Sequence, residues 1–309
     1  METVAPQMPI LYHYPSSPYS EKLRLALGMT GIQWGSVIVS SQPPRPLLDT
    51  FLMGYRRIPI LQVGAHFYCD SKLAFDVLAE SCDRVGASRL SNTEELLRQH
   101  AEERVFFAVI AAVSPMRVLR FLAQDLGFFG TFQFLKDRAH VMKDSTIEKM
   151  SRPVAEGLVE DFVEQLNELL RLDSFLAGEH ASYLDLCCYH PLWMSSLINR
   201  GAISSFPPLV RAWMQRVAGL GHGRSMAVAG RQLHDMVVAD GGEGFVAEVS
   251  APFEQGSLVS VAPTDYARNS TVGDLVAMDG RQTVIKRHLE SGDRVFLHFP
   301  AKGFEVAVL

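Results

Sequence analysis

The sequence predicts an α/β unit, then an all-helical region, then a small all-β barrel or sandwich. Three observations carry this. Residues 8–84 read strand–helix–strand and then strand–strand–helix. The middle of the chain repeats apolar residues at helical spacing. The residues from 245 onward hold short apolar runs separated by turn residues.

In the first unit, "PILYHY" is a short apolar strand. Ser17 is a good helix N-cap and Pro18 a good first helical residue, because proline there loses no needed N–H. Leu23, Ala26 and Leu27 recur at helical spacing and Gly31 ends the helix. "WGSVIVS" reads as a second strand, followed by the proline-rich "SQPPRP". "IPILQVGAHFYC" is two strands around a Val63-Gly64-Ala65 turn. "DSKLAFDVLAES" begins a helix capped by Asp70 or Ser71.

The helical region, 90–240, opens with Ser91-x-x-Glu94, a capping box. Ser114-Pro115 kinks or ends that helix. From Thr146 a helical face is expected through Ile147, Met150, Val154, Leu158, Phe162, Leu166 and Leu169, closed by Gly178. Ser182 and Asp185 form a second capping box in "SYLDLCCYH". "FPPLVRAWMQRVAGLG" is another helix, and Met226 to Val238 one more. The aromatic, glycine-containing "DLGFFGTFQFL" reads as a lid or as a surface packed on the β tail. Composition changes near Gly241-Gly242. Then "SLVSVA", "DLVAMD", "RQTVIKR", "DRVFLHF" and "FEVAVL" are expected strands, with Asp279-Gly280 as a two-residue hairpin turn.

Composition excludes several functions. The 309 residues are 48% hydrophobic with a net charge of −5 and no basic block, which argues against nucleic-acid binding. The longest apolar run, Val105 to Val113, is far short of the ~20 residues that span a bilayer. "METVAPQMPI" has no signal-peptide pattern. Cys69, Cys82, Cys187 and Cys188 show no metal-like spacing and suit a reduced, cytoplasmic setting, with no metal expected.

Chemistry is suggested by "YPSSPYSEKLRLAL". Its Ser16, Ser17 and Ser20 surround a helix start, where unpaired N–H groups and a partial positive charge favour an anion. A hydroxyl there can cap the helix, donate to a ligand, or do both.

Taken with "RRIPIL" and "YCDSKLA", this stretch resembles the thioredoxin-like domain of cytosolic glutathione transferases. The helical region resembles their second domain, and "FLAGEHASYLDL" its buried capping box. The tail resembles an extra C-terminal module of some bacterial and fungal members. The resemblance implies a thioredoxin-like glutathione-binding domain (8–84), an all-helical transferase domain (90–240) and a small β domain (245–309).

It also implies glutathione as co-substrate, a small electrophile as partner, and a homodimer. Aligned on "KLRLAL", Ser17 falls on the catalytic serine of the zeta and theta classes. The omega class has cysteine there, also followed by proline and an aromatic residue, as with Pro18-Tyr19. Tyr12 or Tyr14 is the alternative, matching the first-strand tyrosine of other classes. Pro59 is implied to be cis, turning the Ile58 backbone toward the cysteinyl part of glutathione as an added strand would; an ordinary trans proline at a strand start is the other reading. Asp70-Ser71 would hold the γ-glutamyl end, with Asp where the family has Glu or Gln. Arg57 or Arg56 would reach the glycyl carboxylate, or both are solvated charges.

The expected function is a transferase-like enzyme that activates the glutathione thiol; the alternative is a non-catalytic binding or assembly protein on the same fold. Disulfide exchange is disfavoured, since Ser17 and Ser20 replace both cysteines.

Overall fold

The computed structural model describes residues 7–80, 82, 90–199, 201–240, 248–250 and 252–309. The expected boundaries at 84 and 245, the Gly241-Gly242 shift, the N-terminal residues 1–6 and Ser81 lie outside the described residues.

β1 (Ile10–His13) is buried along its whole length, because both its faces are covered. Ile10 and Tyr12 enter one core with Phe51, Phe67 and Val261. Leu11 enters the other with Leu23, Trp34 and Trp213. α1 (Pro18–Thr30) follows, capped by Ser17, whose Oγ accepts from the Ser20 N–H at 3.1 Å. Its C-cap, Gly31, has φ 66° and donates its N–H to the Leu27 and Gly28 carbonyls.

β2 (Gln33–Ile38), α2 (Pro46–Leu52), β3 (Ile60–Val63), β4 (His66–Tyr68) and α3 (Ser71–Glu80) complete the first unit. β1 runs parallel to β2 and antiparallel to β3, and β3 and β4 form a hairpin.

The helical region comprises α4 (Asn92–Gln99), α5 (Phe106–Ala112), α6 (Pro115–Val141), α7 (Arg152–Leu169), α8 (Tyr183–Ile198) and α9 (Pro208–Gly219). A π-helical stretch, His100–Val105, joins α4 to α5. Both capping boxes form. The carboxylate of Asp185 is fully buried and accepts from the Ser182 N–H and hydroxyl, the Leu176 N–H and the Trp213 indole N–H, all within 2.9 Å. At Ser114-Pro115 the chain turns by 97° between the helices on either side. Among the described residues no single helix is long and apolar enough to cross a membrane.

Three expectations change. The helix expected from Thr146 starts at Arg152, with Ser151 as N-cap and Pro153 in its first turn. Pro153 has no N–H to give the Lys149 carbonyl and its ring crowds that carbonyl, so no helix runs on from Ile147 and Met150, which remain in a loop. Met226 lies in a strand, β5 (Arg224–Ala227), which pairs in parallel with the open edge of β2; α10 (Gly230–Asp240) starts only after it. "DLGFFGTFQFL" is part of α6 with a break at Gly127 (φ 70°), and Phe128 and Phe129 are 83% and 81% exposed. Those two rings therefore pack on neither the cleft nor the tail.

The strand-rich tail is present as β6 (Leu258–Pro263), β7 (Thr271–Met278), β8 (Gln282–His288), β9 (Arg294–Pro300) and β10 (Phe304–Val308). Rather than closing on itself, it extends the first unit's sheet. β9 pairs in parallel with β4, Phe67 facing Leu297 in register. The ten strands run β10-β6-β7-β8-β9-β4-β3-β1-β2-β5. The tail also meets the β2–β3 connection closely. At Gly54 (φ 106°) an added Cβ would lie 2.5 Å from the Ser270 carbonyl oxygen, so only glycine suits that approach.

Candidate functional site

A cleft of about 870 Å³ opens where the first unit, the helical region and the tail meet. Ile58 and Pro59 form part of its floor, and the Ile58–Pro59 peptide is cis. Beside them lies the start of α3. The Asp70 carboxylate accepts from the Lys72 N–H (2.7 Å) and the Leu73 N–H (3.3 Å), so Asp70 caps the helix. Ser71 also lines the cleft, and its hydroxyl makes no hydrogen bond among the described residues.

Arg57 lines the same cleft but is not a solvated charge. It donates to the Asp265 carboxylate and the Tyr266 carbonyl, both from the β6–β7 connection. Its guanidinium lies 4.2 Å from the Tyr266 ring centroid. Arg56 pairs with Asp137 of α6. Arg45 is buried and donates to the carbonyls of Ser40, Ser41 and Arg56, a structural role.

Ser17 sits apart from this group. It is 1% exposed, serves as the α1 cap, and is not among the residues lining the cleft. The Tyr12 hydroxyl donates to Gln62 (2.6 Å) inside the core. Tyr14 does not line the cleft either; its carbonyl accepts from Arg24. Ser16 donates to Asp125 of α6 (2.7 Å). The α1 residue that reaches the cleft is Tyr19, whose ring packs on Phe106 and His190.

The opposite wall is ionic. Lys22 of α1 has a fully buried side chain and pairs with Glu102 in the π-helical stretch. Glu102 also pairs with Arg98, which holds Glu95 at 2.7 Å. Burial pushes the Glu102 carboxyl up, but Lys22 and Arg98 outweigh it and hold its pKa at about 2. On Lys22, burial favours the neutral amine, yet the surrounding acidic groups raise its pKa. A π-helical turn adds a residue to the helix and re-aims its side chains; here it carries Glu102 to both Lys22 and the cleft.

Chemically, the cleft presents the cis-proline backbone leading into β3, a helix N-terminus with an unspent serine hydroxyl, fixed charges of both signs and several phenols. That set suits an extended zwitterionic ligand. Among the described residues no group of acidic, histidine and cysteine side chains is arranged to hold a metal ion. Sequence reading missed Glu102, Asp265 and Tyr266. The last two lie about two hundred residues from Arg57, with no local signal to mark them.

Residues 11–84 match the family model described as "Glutathione S-transferase, N-terminal domain". No curated protein matches the chain. Among solved structures, a GST-like protein from Pseudomonas syringae is 24% identical, covers 98% of this chain and 100% of its own, and superposes with a TM-score of 0.74. A Tau class glutathione S-transferase from mango, Mangifera indica, is 12% identical, covers 76% of this chain and 99% of its own, with a TM-score of 0.50. The fold is thus glutathione transferase-like, and the Pseudomonas syringae protein shares it over the strand-rich tail as well. The family-model match is confined to residues 11–84, and over the rest of the chain the likeness is one of fold.

Proposed function

We propose that the cleft binds glutathione and holds its thiol as a thiolate for attack on a small electrophile. The observation that carries this reading is the meeting of Ile58, cis-Pro59, Asp70 and Ser71 on one cleft. The Ile58 backbone would pair with the cysteinyl unit in the manner of an added strand. The γ-glutamyl carboxylate would meet the Ser71 hydroxyl and the α3 N-terminus, and its ammonium Asp70. Arg57 would contribute positive charge at the floor while remaining tied to Asp265. Ser17 enters as the cap that fixes the start of α1, whose N-terminal field favours an anion.

The second reading, a non-catalytic binding or assembly protein, is favoured by one observation: the Ser17 hydroxyl is buried away from the cleft. Calorimetry and thiol titration separate the two. Binding with a lowered thiol pKa supports the enzyme; binding with the pKa of free glutathione supports the second reading. No wild-type binding at millimolar glutathione sinks both as stated. Ser71→Ala is expected to weaken binding by about 1–3 kcal/mol, through lost hydrogen bonding to a charged group. The homodimer and the cytoplasmic location belong to the same proposal. The four free cysteines support the location, and light scattering tests the dimer.

A further inference from the structure

Four tyrosines line the cleft: Tyr19, Tyr55, Tyr183 and Tyr266. Three of their hydroxyls are engaged. Tyr55 donates to the Cys69 carbonyl, Tyr183 accepts from Lys22 (3.4 Å), and Tyr19 donates to the Glu102 carbonyl (3.4 Å). Only the Tyr266 hydroxyl makes no hydrogen bond among the described residues.

Its ring is nevertheless held firmly. The Arg57 guanidinium covers one face, and Phe107 meets it at 81° with centroids 6.2 Å apart. Its own carbonyl accepts from Arg57, and the neighbouring Asp265 carbonyl accepts from the Thr146 N–H at 2.9 Å. Four contacts therefore fix the phenol while its donor is unspent. A donor fixed before the ligand arrives costs little reorganisation when charge develops beside it.

The location suits this. Tyr266 stacks on Arg57, which immediately precedes Ile58 and cis-Pro59 in the chain. Tyr266 and the α1 residue Tyr19 line the same cleft. Burial raises its pKa, with Arg57 working against that, so the group stays an O–H donor at neutral pH. None of the first domain's own candidates lines the cleft: the Tyr12 hydroxyl is given to Gln62, Ser17 accepts from its own helix, and Tyr14 lies outside the lining.

We propose that Tyr266, supplied by the C-terminal strands, donates its hydroxyl hydrogen to the glutathione sulfur in this cleft. The inference rests on the glutathione reading of the same site. The thiol proton passes to solvent, the phenol keeps its own proton, and an O–H···S⁻ hydrogen bond forms.

The test titrates bound glutathione by thiolate ultraviolet absorbance in the full-length protein. S-methylglutathione, which has no thiol, serves as the binding control. Tyr266→Phe is expected to raise the bound thiol's pKa by about 1–2 pH units. S-methylglutathione binding stays as in the wild type. Incorporating 3-fluorotyrosine at position 266, a more acidic donor, is expected to lower the thiol pKa below that of the wild type. An unchanged titration in Tyr266→Phe with binding intact overturns this inference alone. Loss of S-methylglutathione binding in Tyr266→Phe also overturns it, since the hydroxyl would then hold another part of the peptide rather than the sulfur. A wild type that binds neither compound overturns the glutathione reading, and the inference with it.

Discussion

Replacing Glu102 by Gln should expose how the helical region is fastened to α1. The Lys22 side chain is fully buried and that of Glu102 is 11% exposed, so the substitution leaves an ammonium in the interior without its counter-charge. Breaking a buried pair by removing one partner costs about 3–5 kcal/mol. The carboxyl's own titration gives a similar figure. Its pKa falls from 4.5 to about 2, a drop of roughly 2.5 units, which corresponds to about 3 kcal/mol. The folded pKa is depressed, so this stability is present above the unfolded value near 4.5 and is lost as pH falls toward 2. Urea unfolding followed by circular dichroism should therefore show Glu102→Gln less stable by about 3 kcal/mol at neutral pH, with the gap closing between about pH 4.5 and pH 2. Arg98 keeps Glu95 in the variant, so it adds little to the loss. The double variant Lys22→Met, Glu102→Leu should recover most of the stability, because an apolar pair of similar volume replaces the ions without a stranded charge. A neutral-pH loss under about 0.5 kcal/mol, the scatter of ordinary surface changes, would refute the reasoning. So would a gap that does not change with pH.

Two further outcomes follow from buried groups. His13 is buried between Arg24 and Ser36, and its pKa is lowered to about 4, chiefly by burial and then by Arg24. Its folded form resists protonation, so stability declines as pH falls from about 6.5 toward 4; a nuclear magnetic resonance titration of His13 centred near 6.5 would contradict this. Asp185→Ala leaves four donors unsatisfied in the interior and should cost about 4 kcal/mol in urea unfolding, against roughly 1–3 for Trp213→Phe, which removes one donor and some volume. Equal losses for the two would argue that the network does not centre on the carboxylate.

What could be read from sequence were the features whose cause is local. The Ser17 cap, Pro18 at the helix start, Gly31 at its end and both capping boxes each depend on a few neighbouring residues. Periodicity alone misjudged the stretch from Thr146, where apolar residues kept helical spacing through a loop and the decisive signal was Pro153. Met226 went astray for a different reason. Its strand exists because β2 offers an open edge, a fact that no window around residue 226 contains. The site divides in the same way. Ile58, Pro59, Asp70 and Ser71 stand out through their own flanks, whereas Arg57's partners, Asp265 and Tyr266, come from the far end of the chain. The tail's strands were visible, but their attachment to β4 is a property of the assembled sheet.

The sheet order also has a consequence for how the molecule is made. The first four strands, β2-β1-β3-β4, are bounded on one side by β5 and on the other by β9. Both covering strands are synthesised late; β9 pairs His66 with Phe296, across most of the chain. While the ribosome is still producing the helical region, the nascent first domain has two bare edges, each a template for pairing with another chain. Such distant pairings form slowly, because loop closure must be achieved before they contribute. The chain should therefore depend on chaperones, or on slow release, until its last strands emerge. A fragment ending before residue 290 is expected to aggregate rather than stand as a smaller folded unit.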